Sequence, residues 1–473
     1  ILTSQVFLTI KSLVRAWFQT KNRASSAHSA HLANNFWRWV CSRKSAMHEP
    51  AIQRFLHGLM RKTLLQMLAE FKRLGSDVVY ANFGRIYLRT SKPTAGSAAA
   101  YGRYLVAAIN GCDLFKHVSL QIVHYWEYLL WMDYANFGGV ISSDPTSLSM
   151  DESFEVEMNW NIQAFLPEAL QGRFASIVGG FIHSLHAEKI KTSGDFGRTP
   201  MRAIQPGQEN ATPKPMELGA GKATGEVESY QVIRLKHMRD TVNHKMTRRL
   251  LRTISEIRNE MASALQTDDP ESQETWVFPQ LPGSYLRFSN APLEFVKNVC
   301  AVLGLAAEVS AEVQICKRNL LEFIGVREFS PEAQWINPCE PFRLPLVICS
   351  FCNESRAFDL CRDADLMPAV PGTPHQWKCA SCSCPHDRAG IEERLIGVAQ
   401  TYLENYSLQD LRCNKCGKVR ADNLASHCGC SGSWGLTISR VETLRKLKSL
   451  RTIAQYHALP YLESAVDDLL INA

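Results

Sequence analysis

Over 473 residues the chain never strings together the roughly 18 uncharged apolar residues that a membrane-spanning helix needs. The nearest approach, around Tyr125 to Ile141, is broken by Glu127 and Asp133, so no membrane is expected. No basic-apolar-small leader opens the chain, and it starts at Ile1 rather than Met, as an internal or C-terminal piece of a longer polypeptide would. Strong charge is also missing. Lys and Arg number 52 against 46 Asp and Glu, a net +6 that permits contact with nucleic acid or an acidic partner but demands neither. Ser, His and Asp occur without a nucleophile elbow or triad context. No repeat of fixed period is visible outside the cysteine region described next.

The fifteen cysteines are bunched, not spread as in a small secreted disulfide scaffold. Ten of them lie between Cys349 and Cys430, eight as Cys349-x-x-Cys352, Cys379-x-x-Cys382, Cys413-x-x-Cys416 and Cys428-x-Cys430, with Cys361 and Cys384 besides. A Cys-x-x-Cys turn aims two thiolates at one point, and two such turns make a closed tetrahedral cage. The first cage is expected from Cys349, Cys352, Cys379 and Cys382, with Cys384 the rival to Cys382. The second is expected from Cys413, Cys416, Cys428 and Cys430, with Gly417 supplying positive φ and Gly429 letting the backbone fold between ligands. All-sulfur ligation makes Zn²⁺ the first choice, two ions in all, with an iron–sulfur cluster at the second site also chemically possible. Four thiolates leave no open position, so these are structural sites. Cys41, Cys112, Cys300, Cys316 and Cys339 read as core residues.

Hydrophobic residues at 45% and charged residues at 21% are those of a globular protein, and the length suits roughly two to four units. An amphipathic helix is expected over Leu8 to Phe18, a loop over Thr20 to Ala33, and a helix from Pro50 to Leu74 ended by Gly75. Val78 to Phe83 and Arg85 to Thr90 read as a β-hairpin around Gly84. Further expectations are a helix over Tyr101 to Asn110, a strand over His117 to Tyr125 and a helical region over Glu155 to Glu188. Residues 191–230 are polar, Pro- and Gly-rich, and expected to be a disordered linker or insertion. Beyond it, Met238, Val242, Met246, Leu250, Ile254 and Ile257 form one apolar stripe. Arg234, Lys236, Arg239, Lys245, Arg248, Arg249 and Arg252 cover the other faces and read as solvated. Two helices, Pro292 to Gly304 and Ala311 to Ile324, precede the cysteine region. A basic helix, Thr437 to Leu459, and a short acidic one end the chain.

The run from Phe71 to Tyr87, with Tyr80-Ala-Asn-Phe-Gly-Arg85 at its turn, resembles the palm hairpin of a B-family DNA polymerase. There the turn carries the carboxylates that hold two metal ions about 4 Å apart for phosphoryl transfer. Here the turn is Asn82, Phe83, Gly84 and Arg85, which offers no carboxylate and adds a positive charge. With the cysteine modules and the stretch Trp126 to Val140, the chain resembles the C-terminal, non-catalytic half of the DNA polymerase epsilon catalytic subunit family. The resemblance covers nearly all of the chain except the 191–228 insertion.

That resemblance implies an α+β architecture in five parts. Residues 1–190 would be an inactivated, degenerate palm remnant, 191–230 a linker and 231–340 a helical thumb-like region. Residues 341–436 would hold the two zinc modules and 437–473 the C-terminal helices. It implies no catalysis by this piece, the active site of the parent DNA polymerase lying upstream. It favours zinc in both cages, although in the related polymerase delta the second module is associated with a [4Fe-4S] cluster; any such cluster of the catalytic half would lie outside this chain. It further implies nuclear localisation, binding of the accessory B-subunit, docking on the replicative helicase (MCM, Cdc45 and GINS), and DNA contact through the whole holoenzyme. The apolar residues Ile391, Leu395, Ile396, Tyr402, Leu403 and Tyr406, on a helix too apolar for its small modules to bury, are the expected partner surface. Two other readings compete: a zinc-dependent DNA-binding module, and a still active nucleotidyltransferase with a rearranged carboxylate set using Asp77 or Asp133.

Overall fold

The computed structural model describes residues 5–19, 26–41, 45–92, 95–116, 118–142, 155–194, 232, 235–266, 273–284, 286, 288–351, 354–368, 370–421 and 425–472. The expected linker falls almost wholly outside them, as does Cys352. Among the described residues helices dominate, with four small antiparallel sheets and three hydrophobic cores.

The N-terminal part begins with helices α1 (Gln5–Gln19) and α2 (Ser26–Cys41). Helix α2 starts within the stretch expected to be a loop. Its polar first half (Ser-Ala-His-Ser-Ala-His) is compatible with helix, and Phe36 of its second half meets Trp17 of α1 at 6.2 Å between ring centroids. Helix α3 (Pro50–Arg73) opens as its sequence dictates. The Glu49 carboxylate accepts from the Ala51 amide, and Pro50 fills a position whose missing N–H costs nothing. Gly75 follows α3 at φ +89°.

Strands β1 (Asp77–Ala81) and β2 (Ile86–Arg89) form the expected hairpin. Helix α4 (Ala95–Asn110) starts a turn and a half before the expected Tyr101, through small residues that carry no apolar pattern. Met67 and Phe71 of α3, Leu105 and Ile109 of α4, and Phe115 form one core here.

Strands β3 (Trp126–Asp133), β4 (Asn136–Ile141) and β5 (Glu155–Trp160) form a meander. Two expectations fail at this point. Residues 118–125 are irregular: the tight turn at Tyr134 and Ala135 puts Trp126 opposite Ile141, the last residue of β4, and pairing beyond it is carried by the Ser142 amide, which donates to the Tyr125 carbonyl at 2.9 Å. Residues 155–160 are strand rather than helix; Glu155, Val156, Glu157 and Met158 alternate polar and apolar, which suits the open edge of β4. Gly139 is required at the centre of the sheet, since a Cβ there would sit 2.4 Å from the Tyr128 carbonyl oxygen. The two sheets meet through aromatic rings, Tyr87 against Trp131 at 4.7 Å and Tyr80 against Trp131 at 5.8 Å.

The largest core joins this meander to helix α5 (Glu168–Gly194), to α6 (Thr247–Gln266) and to α7 (Ala291–Leu303) and α8 (Ser310–Ile324). Its packing runs across the expected boundary between a palm remnant and a thumb-like region. The apolar stripe holds, with a twist absent from the expectation. Met238, Val242, Met246 and Leu250 recur every four residues, which drifts about 40° per step on an α-helix. Residues Thr241–Met246 adopt a π-helical turn instead, and the wider turn cancels the drift, so all four side chains are buried. Nearly every residue of α7 is buried. No single described helix is long and apolar enough to cross a membrane.

The third core holds the first cysteine module, the helix after it and the C-terminal helices together. Strands β6 (Arg343–Ile348) and β7 (Ser355–Asp359), helix α9 (Arg388–Ser407), the short pair β8 (Arg412–Cys413) and β9 (Trp434–Gly435), and helices α10 (Arg440–Tyr456) and α11 (Pro460–Asn472) follow in order. Leu395, Leu447, Leu450, Ile453, Leu459 and Leu462 lie at its centre, all fully buried. Polar ties link it to the β3–β4 turn: the Tyr134 hydroxyl donates to Asp359, the Arg343 guanidinium lies 4.7 Å over the Tyr134 ring, and Arg362 pairs with Asp133 at 3.2 Å.

Candidate metal centres

Three of the four cysteine pairs are fully described, and each of these sits on a turn whose geometry follows from its spacing. In the third pair the Cys413 amide donates to the Lys418 carbonyl at 2.9 Å, and the Gly417 amide donates back to the Cys413 carbonyl at 3.0 Å. This closes a knuckle only if the residue after the second cysteine turns left-handed, and Gly417 does so at φ +70°. The second pair repeats the pattern: Cys379 donates to the Cys384 carbonyl at 2.9 Å, Ser383 donates to Cys379 at 2.9 Å, and Ser383 takes φ 57°. The fourth pair is one residue shorter. Cys428 donates to Gly432 at 3.0 Å, Ser431 donates to Cys428 at 2.8 Å, and Ser431 takes φ 58°.

The knuckles bring the sulfurs together. Cys413, Cys416, Cys428 and Cys430 have all four Sγ atoms within 4.8 Å of one another, with Cys413–Cys430 at 3.4 Å and Cys416–Cys428 at 3.5 Å. A tetrahedral ion with Zn–S of about 2.3 Å asks for sulfurs roughly 3.8 Å apart, so the donor set fits zinc. The Cys416 and Lys415 amides point at the Cys413 sulfur and draw its thiol down to about 6, while sharing a proton with Cys413 pushes Cys430 up to about 12. Gly429 has open space where a Cβ would stand and no left-handed backbone, contrary to its expected role. The glycine the site requires is Gly432, where a Cβ would lie 2.4 Å from the Cys413 sulfur.

At the other site Cys349, Cys379 and Cys382 converge, Cys349 and Cys382 being 3.6 Å apart. Cys352 lies outside the described residues. Of the two rivals, Cys382 lies in the converging set, and Cys384, past the turn, accepts from the Cys379 amide with its carbonyl. Glu354, which sequence reasoning passed over, accepts from the Cys379 thiol and the Ser381 amide, both at 3.1 Å. Only its place five residues after Cys349 could have flagged it. Cys300, Cys316 and Cys339 are buried, and Cys112 is half-buried.

The turn at Asn82 to Arg85 is closed on itself. The Asn82 side-chain oxygen accepts from the Gly84 amide at 2.8 Å and the Arg85 amide at 2.6 Å, and Phe83 meets the His57 ring at 5.4 Å. Asp77 pairs with Arg89 at 2.8 Å, and Asp133 with Arg362. Among the described residues, the groups of three or more metal-ligating side chains that converge are the two cysteine sets.

The expected partner surface needs correction. Ile391 and Leu395 are buried, with Ile396 and Tyr402 packed against the same core, and Leu403 and Tyr406 are half-buried. Helices α10 and α11 supply the apolar cover that the cysteine modules alone could not. Glu392 fixes the arrangement by accepting from the Tyr461 and Leu462 amides at 3.0 and 3.1 Å, at the positive end of α11.

Fold and sites together define a protein with two knuckle-type cysteine modules built into a helical C-terminal unit, downstream of an α+β body. Residues 332–405 and 407–464 each match a family described as the zinc finger domain of DNA polymerase-epsilon, and residues 1–140 match a domain of unknown function, DUF1744. Curated relatives include the DNA polymerase epsilon catalytic subunits of Schizosaccharomyces pombe, 31% identical over 472 residues, and of Aspergillus fumigatus, 31% identical over 473. The Saccharomyces cerevisiae protein of the same name is 26% identical over 463 residues. Each comparison covers 98% of this chain, which spans about a fifth (19–20%) of those relatives' length. The chain belongs to the DNA polymerase epsilon catalytic subunit family and corresponds to its C-terminal region.

Proposed function

We propose that this chain is the non-catalytic scaffold portion of a leading-strand replicative polymerase, working in the nucleus. It binds the accessory B-subunit through its two-zinc C-terminal unit and docks the polymerase on the replicative helicase, with MCM, Cdc45 and GINS as partners. The observation that carries this reading is the packing of the first cysteine module with α9, α10 and α11 in one core, with the second module inserted between α9 and α10 and closed at its base where Gln409 bonds both ways with Ile438. Zinc ligation contributes roughly 10–16 kcal/mol of apparent folding energy to such modules. In this reading Cys352 completes the first cage and both cages hold zinc.

With Ile391 and Leu395 turned inward, the partner surface moves to the apolar residues left outside. Leu408, Leu436 and Val441 are exposed around the point where Gln409 bonds both ways with Ile438. Tyr461 is exposed beside a groove of about 410 Å³ between α9 and α11. The self-closed turn at Asn82 and the arginine-paired Asp77 and Asp133 support a non-catalytic role.

Co-purification of this chain with the B-subunit tests the reading. Cys413→Ala with Cys416→Ala is expected to abolish it, and binding retained in the double variant would overturn the claim. Metal analysis of purified chain should give two zinc ions; one zinc with several irons would reassign the second cage. Primer extension by the chain alone should be absent.

A further inference from the structure

We propose that the exposed face of α6 beside α5 is a binding surface for the phosphodiester backbone of duplex nucleic acid. Residues 232–266 carry eight Lys and Arg against three Asp and Glu, a net +5 in a chain whose whole net charge is +6. The excess is therefore local, and the folded helix sorts it further. Arg239 is engaged by Glu312 at 3.1 Å, and Arg258 donates to the Phe323 carbonyl at 3.1 Å and lies over the Phe323 ring, both on the α8 side.

Arg234 lies outside the described residues and Lys236 precedes the π-helical turn; Lys245, at the end of that turn, and Arg248, Arg249 and Arg252 of α6 follow at i, i+3, i+4 and i+7, which keeps them near one face. All four are exposed. Arg249 is held against α5, donating to the Ser176 hydroxyl at 2.9 Å, and lies over Gly180, where a Cβ would come 3.0 Å from its Nη1. Lys245, Arg248 and Arg252 have no hydrogen-bond or ion-pair partner among the described residues. Arg248, Arg249 and Arg252, with Thr253 and Glu256, line a groove of about 440 Å³.

Four cations within a helical rise of roughly 10 Å, opposed by one carboxylate, repel one another in the free protein. Guanidinium forks match phosphate oxygens, and a row of charges along a helix suits a row of phosphates. No aromatic ring lines the groove, which favours backbone contact over the stacking that single strands need. An acidic protein surface would be attracted too, but would not require the charges to lie in a row. This surface is separate from the cysteine modules and does not rest on the scaffold reading.

The test is fluorescence anisotropy of the full chain with a labelled 30-base-pair DNA duplex, in salt between 50 and 200 mM. Four phosphate contacts give a slope near −3.6 in log K against log salt, about a 150-fold loss over that range. Arg248→Ala with Arg252→Ala should halve the slope, to about a 12-fold loss. The charge-matched control Lys62→Ala with Lys448→Ala, on α3 and α10, should leave it unchanged. Both target side chains are exposed, and Ala is a good helix former, so folding is expected to survive; circular dichroism checks this. If the double variant misfolds, the single variants Arg248→Ala and Arg252→Ala are read instead, each lowering the slope by about 0.9. An unchanged slope in the folded variants, an equal effect of the control pair, no duplex binding at 50 mM, or tighter binding to polyglutamate than to DNA would each overturn the proposal. B-subunit co-purification of the same variants should persist, which separates failure here from failure of the scaffold reading.

Discussion

Replacing Gly432 with Ala puts one methyl group where the second metal centre has no room. The new Cβ would stand 2.4 Å from the Cys413 sulfur, 3.2 Å from the Asn414 side-chain oxygen and 3.2 Å from the Lys415 Cβ. Ordinary carbon contacts sit near 3.5–4.0 Å, so relief requires a shift of about 1 Å. The sulfur is the poorest atom to give way, because metal–ligand distances tolerate only about 0.2 Å. Moving the backbone instead would strain the knuckle in which Cys428 donates to Gly432 at 3.0 Å and Ser431 already holds φ 58°. If the chain relaxes as overpacked cores do, the cost is about 1–3 kcal/mol, or roughly 5- to 150-fold in metal affinity. If it cannot, one ligand is lost and the site opens.

Competition for zinc against a chromophoric chelator reads this directly, with Gly429→Ala as the partner variant. Gly429 has nothing within 4 Å of its Cβ position, so that variant should hold metal as the parent does. Equal affinity of Gly432→Ala and the parent would refute the reasoning, as would equal weakening by both variants.

At the first centre, Cys382→Ser should release one metal ion per chain while Cys384→Ser releases none, measured by mass spectrometry under native conditions; the reverse would place the knuckle one turn later. His457 is buried against Trp377 and donates to the Leu360 carbonyl at 2.8 Å, and burial lowers its pKa to about 4. Below the unfolded value near 6.5 the unfolded chain takes up the proton first, so this stability is full above pH 6.5 and lost as pH falls toward 4. The loss is about 2 kcal/mol by pH 5. His457→Gln, which can keep the donor without titrating, should flatten that part of a urea-unfolding series, and a series as steep as the parent's would show the drop arises elsewhere. Tyr134→Phe removes the hydroxyl that reaches Asp359 and should cost about 1–3 kcal/mol by leaving a buried carboxylate short of a donor. No change in unfolding midpoint would show that the β3–β4 turn and the first module are not held together there.

The cysteine spacing was enough to read the convergence of seven of the eight expected ligands, because a knuckle is a local object: six residues, two backbone hydrogen bonds and one left-handed position. The same locality made the β1–β2 hairpin and the α7 and α8 helices legible. Expectations failed where the deciding partner is distant. The Gly432 requirement comes from a sulfur nineteen positions away at Cys413, and Gly429, beside the cysteines, drew attention for a local reason that the fold does not use. Residues 155–160 are strand because β4 offers them an open edge. The apolar face of α9 looked unburied because nothing local covers it, and α10 and α11 return from the end of the chain to do so. Sequence alone determined what the cysteine turns can ligate and which helices are amphipathic, since both depend on neighbours within a few bonds or turns. Tertiary structure alone decided which apolar faces are left for a partner and which arginines are left without one, because burial and ion pairing are settled only when distant segments meet.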